Sequence, residues 1–274
     1  MNRPLRSIVQ TVAPALLSRY SSLRMRSYFR RRFGALQEEA YRILFQDTAP
    51  AVLSGPFLGM PYLNETIWGP ITPKWIGSYE AELGGILEEI IAAQYRQIID
   101  VGSAEGYYAA GLAFRIPNAH ITAFDLDPIA RKQTARLASL AGVADRVKVH
   151  SNCTPQLLNR LIVDRTLVIM DVEGAEYHLL DPAVIQTLHH AALLVEVHAY
   201  PPFDMPAVAE SLRSRLEPTH HLRWLYSESR DGLVDRYKLL WDGKISAARF
   251  AEYLDEGRGE PQRWVWAKPR TANG

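Results

Sequence analysis

Residues 98–108 (Ile98-Ile99-Asp100-Val101-Gly102-Ser103-Ala104-Glu105-Gly106-Tyr107-Tyr108) constrain this chain more than any other stretch. A short apolar run containing an acid passes into a turn of small residues, and a helical pattern from Tyr107 to Phe114 follows at once. Gly102 and Gly106 carry no Cβ, so a ligand can touch the backbone there. The free N–H groups that open the next helix would face that ligand. Strand, tight turn and helix in this order make the nucleotide-binding corner of a doubly wound α/β domain.

The kind of nucleotide follows from the residues around that corner. A dinucleotide asks for G-x-G-x-x-G, whose glycines admit a pyrophosphate. Here Ala104 replaces the middle glycine, and Glu105 sets a carboxylate in the loop, where it would repel a pyrophosphate. A ligand with positive centres and no phosphate fits better, and S-adenosylmethionine is one. The next strand pattern, His120–Asp125, ends in an acid 25 residues after Asp100. An acid there accepts ribose hydroxyls, which makes Asp125, with Leu126 beside it, the ribose contact. Asp127 precedes Pro128 and reads instead as the N-cap of the following helix.

A chain of 274 residues, 47% hydrophobic and 22% charged, is long enough for one sizeable core with an appendage. A net charge of +1 gives no global pull toward nucleic acid or membrane. The lone Cys153 excludes an internal disulfide and any cysteine-rich metal site. No apolar run approaches the ~20 residues of a membrane span, and the expected location is the cytoplasm. Charge is uneven, however. Arg3, Arg6, Arg19, Arg24, Arg26, Arg30, Arg31 and Arg32 all precede the first carboxylate, Glu38. They suit a helical extension paired with acids elsewhere, peripheral contact with anionic lipid or an acidic partner, or a targeting segment around Ile8–Leu17. Nucleic acid is not an expected partner, because Tyr20, Tyr28, Phe29 and Phe33 more simply form the apolar side of a helix.

Gln46–Pro73 is rich in Pro and Gly and reads as irregular, while Tyr79–Gln94 has an apolar stripe at helical spacing. Strands are expected at Gln97–Val101, His120–Asp125, Arg146–His150, Thr166–Val172, Ala192–His198, His221–Ser227 and Arg263–Ala267. Helices are expected after Asp127 to about Leu140, from Thr154-Pro155 through Leu161, and over Asp204–Leu216. This alternation predicts a Rossmann-like, doubly wound, mostly parallel seven-stranded α/β sheet with an antiparallel edge pair. A basic helical and irregular extension, residues 1–74, would precede the main domain, residues 75–270.

A second cluster, Met170-Asp171-Val172-Glu173-Gly174-Ala175-Glu176, delivers three carboxylates and a glycine at the end of an apolar strand. Asp100, Asp125, Asp171 and Glu196-Val197-His198 all fall at strand ends, where open parallel sheets bind ligands. Together with Asp100–Gly106 and Phe124–Pro128, this run resembles the motifs of class I S-adenosylmethionine-dependent methyltransferases, and Asp171–Glu176 is particularly like the FkbM-type branch. The resemblance covers Trp75 to Pro269. It implies that Asp100, Gly102, Ser103, Ala104, Glu105, Gly106 and Tyr107 surround the methionine half of the cofactor. It further implies adenine contacts at Asn152 and Cys153 and a contact at Asp171. Tyr79 and Glu80 would cover the amino-acid end, unless Glu80 and Glu82 only favour a helix dipole.

Transfer of a methyl to a hydroxyl needs alignment and a base or a metal. His198 is the first candidate for the base, since an imidazole titrates near neutrality. Asp171 and Glu173 come next, as bases or, with Glu196, as ligands of a divalent ion such as magnesium; the sequence does not say whether these groups converge. The resemblance implies O-methylation of a small molecule such as a sugar. An amine or macromolecular acceptor, or a non-catalytic binder of the cofactor or its product, are the alternatives. Phe57, Tyr62, Trp68, Tyr200 and Phe203 are candidates to shape the acceptor site, and the oligomeric state is left open.

Overall fold

The computed structural model describes residues 14–46, 48–65, 68–229, 231–258 and 262–270. Arg3, Arg6 and most of the Ile8–Leu17 stretch lie outside these residues. The strands are β1 Gln97–Val101, β2 His120–Phe124, β3 Val147–His150, β4 Thr166–Met170, β5 Ala191–Glu196, β6 His220–Tyr226 and β7 Arg263–Pro269. They form one seven-stranded sheet in the order β3-β2-β1-β4-β5-β7-β6. β1 to β5 run parallel, and β7 lies antiparallel to both β5 and β6. The sheet expected from the alternating pattern, with its antiparallel edge pair, is therefore present.

Helices pack on both faces: α1 Pro14–Phe45, α2 Thr72–Ile76, α3 Gly84–Ala93, α4 Tyr107–Arg115, α5 Pro128–Leu140, α6 Pro155–Leu161, α7 Glu176–Leu179, α8 Met205–Leu216, α9 Asp231–Arg236, α10 Lys238–Trp241 and α11 Ala247–Tyr253. No helix of the described residues is long and apolar enough to cross a membrane. Alternate strand residues feed two cores, as the twofold period of a strand requires. Ile98, Ile121, Leu167, Ile169 and Leu194 join one; Ile99, Phe124, Val168, Met170 and Val195 join the other. Ala40 and Phe45 of α1, with Val52, Phe57, Met60, Tyr62, Leu63 and Ile71, are buried in the first core beside α3 and α4. Upstream of Phe33, α1 leaves Arg24, Met25, Tyr28, Arg30, Arg31 and Arg32 exposed.

Three local expectations change. β4 stops at Met170 rather than Val172 because Glu173 and Gly174 take positive φ and turn the chain away. β5 ends at Glu196, which leaves His198 on the loop beyond. The helix expected from Tyr79 begins as a 3-10 turn at Ala81, and Glu80 sits in the left-handed region at φ +49.

The parallel register is flush. Val101 pairs with Phe124 and with Met170, and Met170 with Val195, so the carboxyl ends of β1, β2, β4 and β5 share one rim. Strand order reverses between β1 and β4, the usual place for a ligand crevice. Here the two chains nearly touch. Gly102 has φ +89, and a Cβ on it would lie 1.7 Å from the carbonyl oxygen of Asp171. We predict that Gly102→Ala costs about 2–4 kcal/mol of stability, from strain and overpacking together. Urea-induced unfolding followed by circular dichroism checks this.

Candidate functional site

The rim opens into a cavity of ≈ 550 Å³ beneath the turns after β1, β2, β3 and β4. Its wall includes Gly102, Ala104, Asp125, Leu126, Asn152, Cys153, Asp171 and Glu173, all anticipated from sequence, and Met25 of α1 with Trp68 reach it from the N-terminal part. Asp125 is fixed by backbone donors: Ala104 N–H donates to its Oδ2 at 2.9 Å and Asp127 N–H to its Oδ1 at 2.8 Å. Each oxygen keeps a second lone pair for a ligand. Asp127 caps α5, accepting from Ile129 N–H at 2.8 Å. Burial pushes the Asp125 carboxyl up to about 6. The Cys153 thiol is likewise pushed up to about 12 by burial, so it serves as an apolar wall and not as a nucleophile.

Asp100 lies under the turn, almost fully buried, with Oδ2 lacking a hydrogen-bond partner. Burial first, then Asp125 and Asp171, push its carboxyl up to about 7. Ser103 is buried against Thr134, 3.3 Å away, and Gly106 packs over Thr134 so closely that a Cβ would sit 2.9 Å from its side chain. Both residues fix the turn against α5.

Four expected cofactor contacts point elsewhere. The Glu105 carboxylate turns into the core, where it pairs with Lys74 and accepts from the Tyr62 hydroxyl at 3.3 Å. It is fully buried, so its charge does not face the cavity, and the repulsion argument against a pyrophosphate falls with it. Tyr107 lies in an aromatic cluster with Phe57, Tyr62, Tyr79 and Tyr108 at ring distances of 5.0–6.1 Å. Tyr79 and Glu80 lie behind the rim, Tyr79 beneath the guanidinium of Arg258 and Glu80 bonded to Arg258 and Tyr108. Phe57 and Tyr62 are core residues and do not shape an acceptor site.

A charged group gathers beyond β4 and β5. His198 Nε2 lies 3.8 Å from Asp171 Oδ1, from Glu173 Oε2 and from Glu196 Oε1. Its Nδ1 lies 3.1 Å from Glu176 Oε1, and the same oxygen accepts the His198 backbone N–H at 2.7 Å. Glu176 Oε2 takes Gly174 N–H at 2.8 Å. Burial lowers the His198 pKa, but Glu176, Asp171 and Glu173 outweigh it and the net shift is upward. Burial, with repulsion from its neighbours, raises Asp171 and Glu196. Arg258 bonds Glu80 and Glu256 at 2.5 Å each and stands 3.7 Å from Glu196.

Sequence reasoning placed Glu176 among the three carboxylates after an apolar strand and missed that it orients His198. It missed Arg258 altogether, since Asp255–Gly257 gives no periodic signal. Lys74 did leave a trace: a lone cation in Ile71–Ile76 is a sign of a buried partner.

No family model matches the chain, and no curated protein matches it. Among solved structures, it is similar to an O-methyltransferase from Bacillus cereus in complex with SAH, at 12% identity and a TM-score of 0.45, covering 85% of this chain and 91% of that one. It is also similar to the O-methyltransferase TomG from Streptomyces achromogenes in complex with SAM, at 14% identity and 0.45, covering 70% and 80%. A third is the SAH-bound Podospora anserina methyltransferase PaMTH1, at 16% and 0.39, covering 51% and 72%. Likeness at this level says nothing about chemistry, which has to come from the cavity itself.

The Lys74–Glu105 pair holds the first turn from below. Lys74→Ala leaves a buried, uncompensated carboxylate and is expected to cost about 3–5 kcal/mol, whereas Lys74→Met with Glu105→Leu recovers most of that loss. Chemical denaturation of the single and double variants measures both.

Proposed function

We propose that the chain is an S-adenosylmethionine-dependent methyltransferase of the FkbM-like type, acting on a hydroxyl of a small molecule such as a sugar or other natural product. The observation that carries this reading is the cavity at the switch point, with bare backbone at Gly102 and an acidic wall. The donor set fits the cofactor. Phe124, Leu126 and Cys153 offer an apolar slot beside the polar Asn152, as a purine needs, and Asp125 lines the same cavity with a lone pair left on each oxygen for ribose hydroxyls. Asp171, which lines the cavity with Asp125, offers the acidic wall that a sulfonium and an ammonium need.

When bound, the cofactor supplies an electrophilic methyl for in-line displacement. Asp125 and the Gly102 corner hold the nucleoside in register with the end of β4. Asp171 and Glu173 line the cavity and His198 stands 3.8 Å from each; these three would hold the acceptor hydroxyl and take its proton. Tyr200, stacked on Tyr177 at 5.5 Å and 2.8 Å from His178 Nε2, offers an aromatic surface that would suit the face of a sugar ring. The exposed arginines of α1 lie on the helix that lends Met25 to the cavity, and they would bring an anionic surface or partner to its mouth.

Calorimetry with S-adenosylhomocysteine tests the cofactor half. Binding is expected at pH 7.5 and weakens as pH falls through about 6, because Asp125 there takes a proton and loses an acceptor. Asp125→Asn is expected to cost about 1.5–3 kcal/mol of affinity and to flatten that pH dependence. Labelled cofactor incubated with polyols, phenols and amines tests the transfer half. His198→Ala is expected to bind S-adenosylhomocysteine normally and to transfer no methyl. If wild-type protein binds the product and methylates nothing, a non-catalytic binder replaces this reading.

A further inference from the structure

A second cavity, larger than the one at the switch point, lies along α1. It measures ≈ 630 Å³ and is walled by α1, by residues 64–70 and by Arg136 of α5. Small-molecule sites usually fall between about 300 and 1,000 Å³. A third cavity of ≈ 360 Å³ shares Gln37, Glu38 and Asn64 with it and extends to Tyr41 and Arg42. At the other end Met25 lines the first cavity and Phe29, one turn later, lines the second; on the facing segment Trp68 and Gly69 divide the same way. Met25, Phe29, Phe33, Gln37 and Tyr41 recur every four residues, and residues so spaced make one oblique ridge of a helix. From Met25 to Tyr41 that ridge runs about 24 Å along the axis. The three cavities therefore form a trough leading away from the switch point.

The wall of the trough carries both charges. Arg30 offers only donors, Glu38 only acceptors, and Asn64 both. Among the described residues none of these three side chains has a hydrogen-bond partner, so all three are open to a ligand. Arg136 and Glu65 stand 3.6 Å apart, a loose contact that a hydroxyl can enter. Phe29 and Phe33 stack at 6.0 Å. Both rings rest on Gly257, where a Cβ would come within 3.1 Å of Phe29 and 3.3 Å of Phe33, so their positions are fixed before any ligand arrives.

We propose that this trough binds a linear, neutral oligosaccharide. A sugar hydroxyl donates and accepts at once, so it finds a partner at Arg30, at Glu38 and at Asn64 alike. The face of a sugar ring suits Phe29 and Phe33. A phosphate or carboxylate would be repelled by Glu38 and Glu65, and an ammonium by Arg30 and Arg136. An extended peptide is usually held through its backbone at an open sheet edge. The edge strands here are β3 and β6, and neither lines the trough.

The site stands on its own geometry; only its link to catalysis rests on the methyl-transfer reading. In that link the acceptor hydroxyl belongs to the end of a chain. The ring nearest Met25 enters the first cavity, and the rings held along α1 supply binding energy that positions it.

The test probes an array of neutral and acidic glycans, beside an array of peptides, with the labelled full chain. Linear neutral glycans of several rings are expected to be retained. Calorimetry with the strongest binder, and with the same glycan cut to one ring, is expected to show a loss of about tenfold or more. Arg30→Ala and Asn64→Ala are expected to weaken binding about tenfold and about fivefold. Unchanged binding of S-adenosylhomocysteine by both variants shows that they fold. Retention of acidic glycans or peptides in place of neutral glycans, no retention at all, or an affinity that neither substitution lowers overturns the proposal. Glycan binding by a chain that ignores S-adenosylhomocysteine sinks only the methyl-transfer reading, and the reverse result sinks only the trough.

Discussion

One close approach organises the molecule: the backbone of Gly102 against the carbonyl of Asp171, with no room between them for a Cβ. It fixes how the turn after β1 sits relative to the strand end of β4, and both elements line the cavity. The approach is possible because β1 and β4 are flush neighbours in the sheet, with Asp171 N–H still donating to Val101 at 3.0 Å after β4 has ended. Gly102 N–H continues the ladder on the other side, to Phe124 at 2.8 Å. Acids at the ends of β1, β2 and β4 are therefore held on one rim by backbone geometry before any ligand arrives.

A rim of this kind is costly, since it keeps like charges close in a partly desolvated place. Burial is the main reason that the carboxyls of Asp100, Asp125 and Asp171 are all shifted upward. The fold answers the charge in two places and leaves it open in a third. Lys74 neutralises Glu105 below the turn, and Arg258 answers Glu80 and Glu256 behind it. Around Asp171 no such residue arrives among the described ones at hydrogen-bond distance, and at Asp125 the Arg131 guanidinium bonds the backbone carbonyl instead of the carboxylate.

How much of this the sequence disclosed depends on the range of the forces involved. Strand ends, the Asp127-Pro128 and Thr154-Pro155 caps and the Gly102 turn were legible because they are local, set by periodicity, capping and the need for positive φ. Asp125, Asn152 and Cys153 were legible because they immediately follow strands. The direction of Glu105 was not, because it depends on Lys74, 31 positions earlier and on another element. Glu80 and Tyr79 were misplaced for the same reason: Arg258, 178 residues from Glu80, draws them behind the rim. Glu176 was read as one of three carboxylates after an apolar strand, which is true of its place in the chain but silent about the histidine it meets across the loop.

The account centres on a cationic nucleoside lying across the Gly102 corner. A crystal structure of the protein with S-adenosylhomocysteine tests that most directly. The account predicts ribose hydroxyls on Asp125, adenine beside Asn152 and Cys153, and the sulfur facing Asp171. A complex in which that ligand lies elsewhere, or in which a nicotinamide dinucleotide displaces it from this cavity, would contradict it.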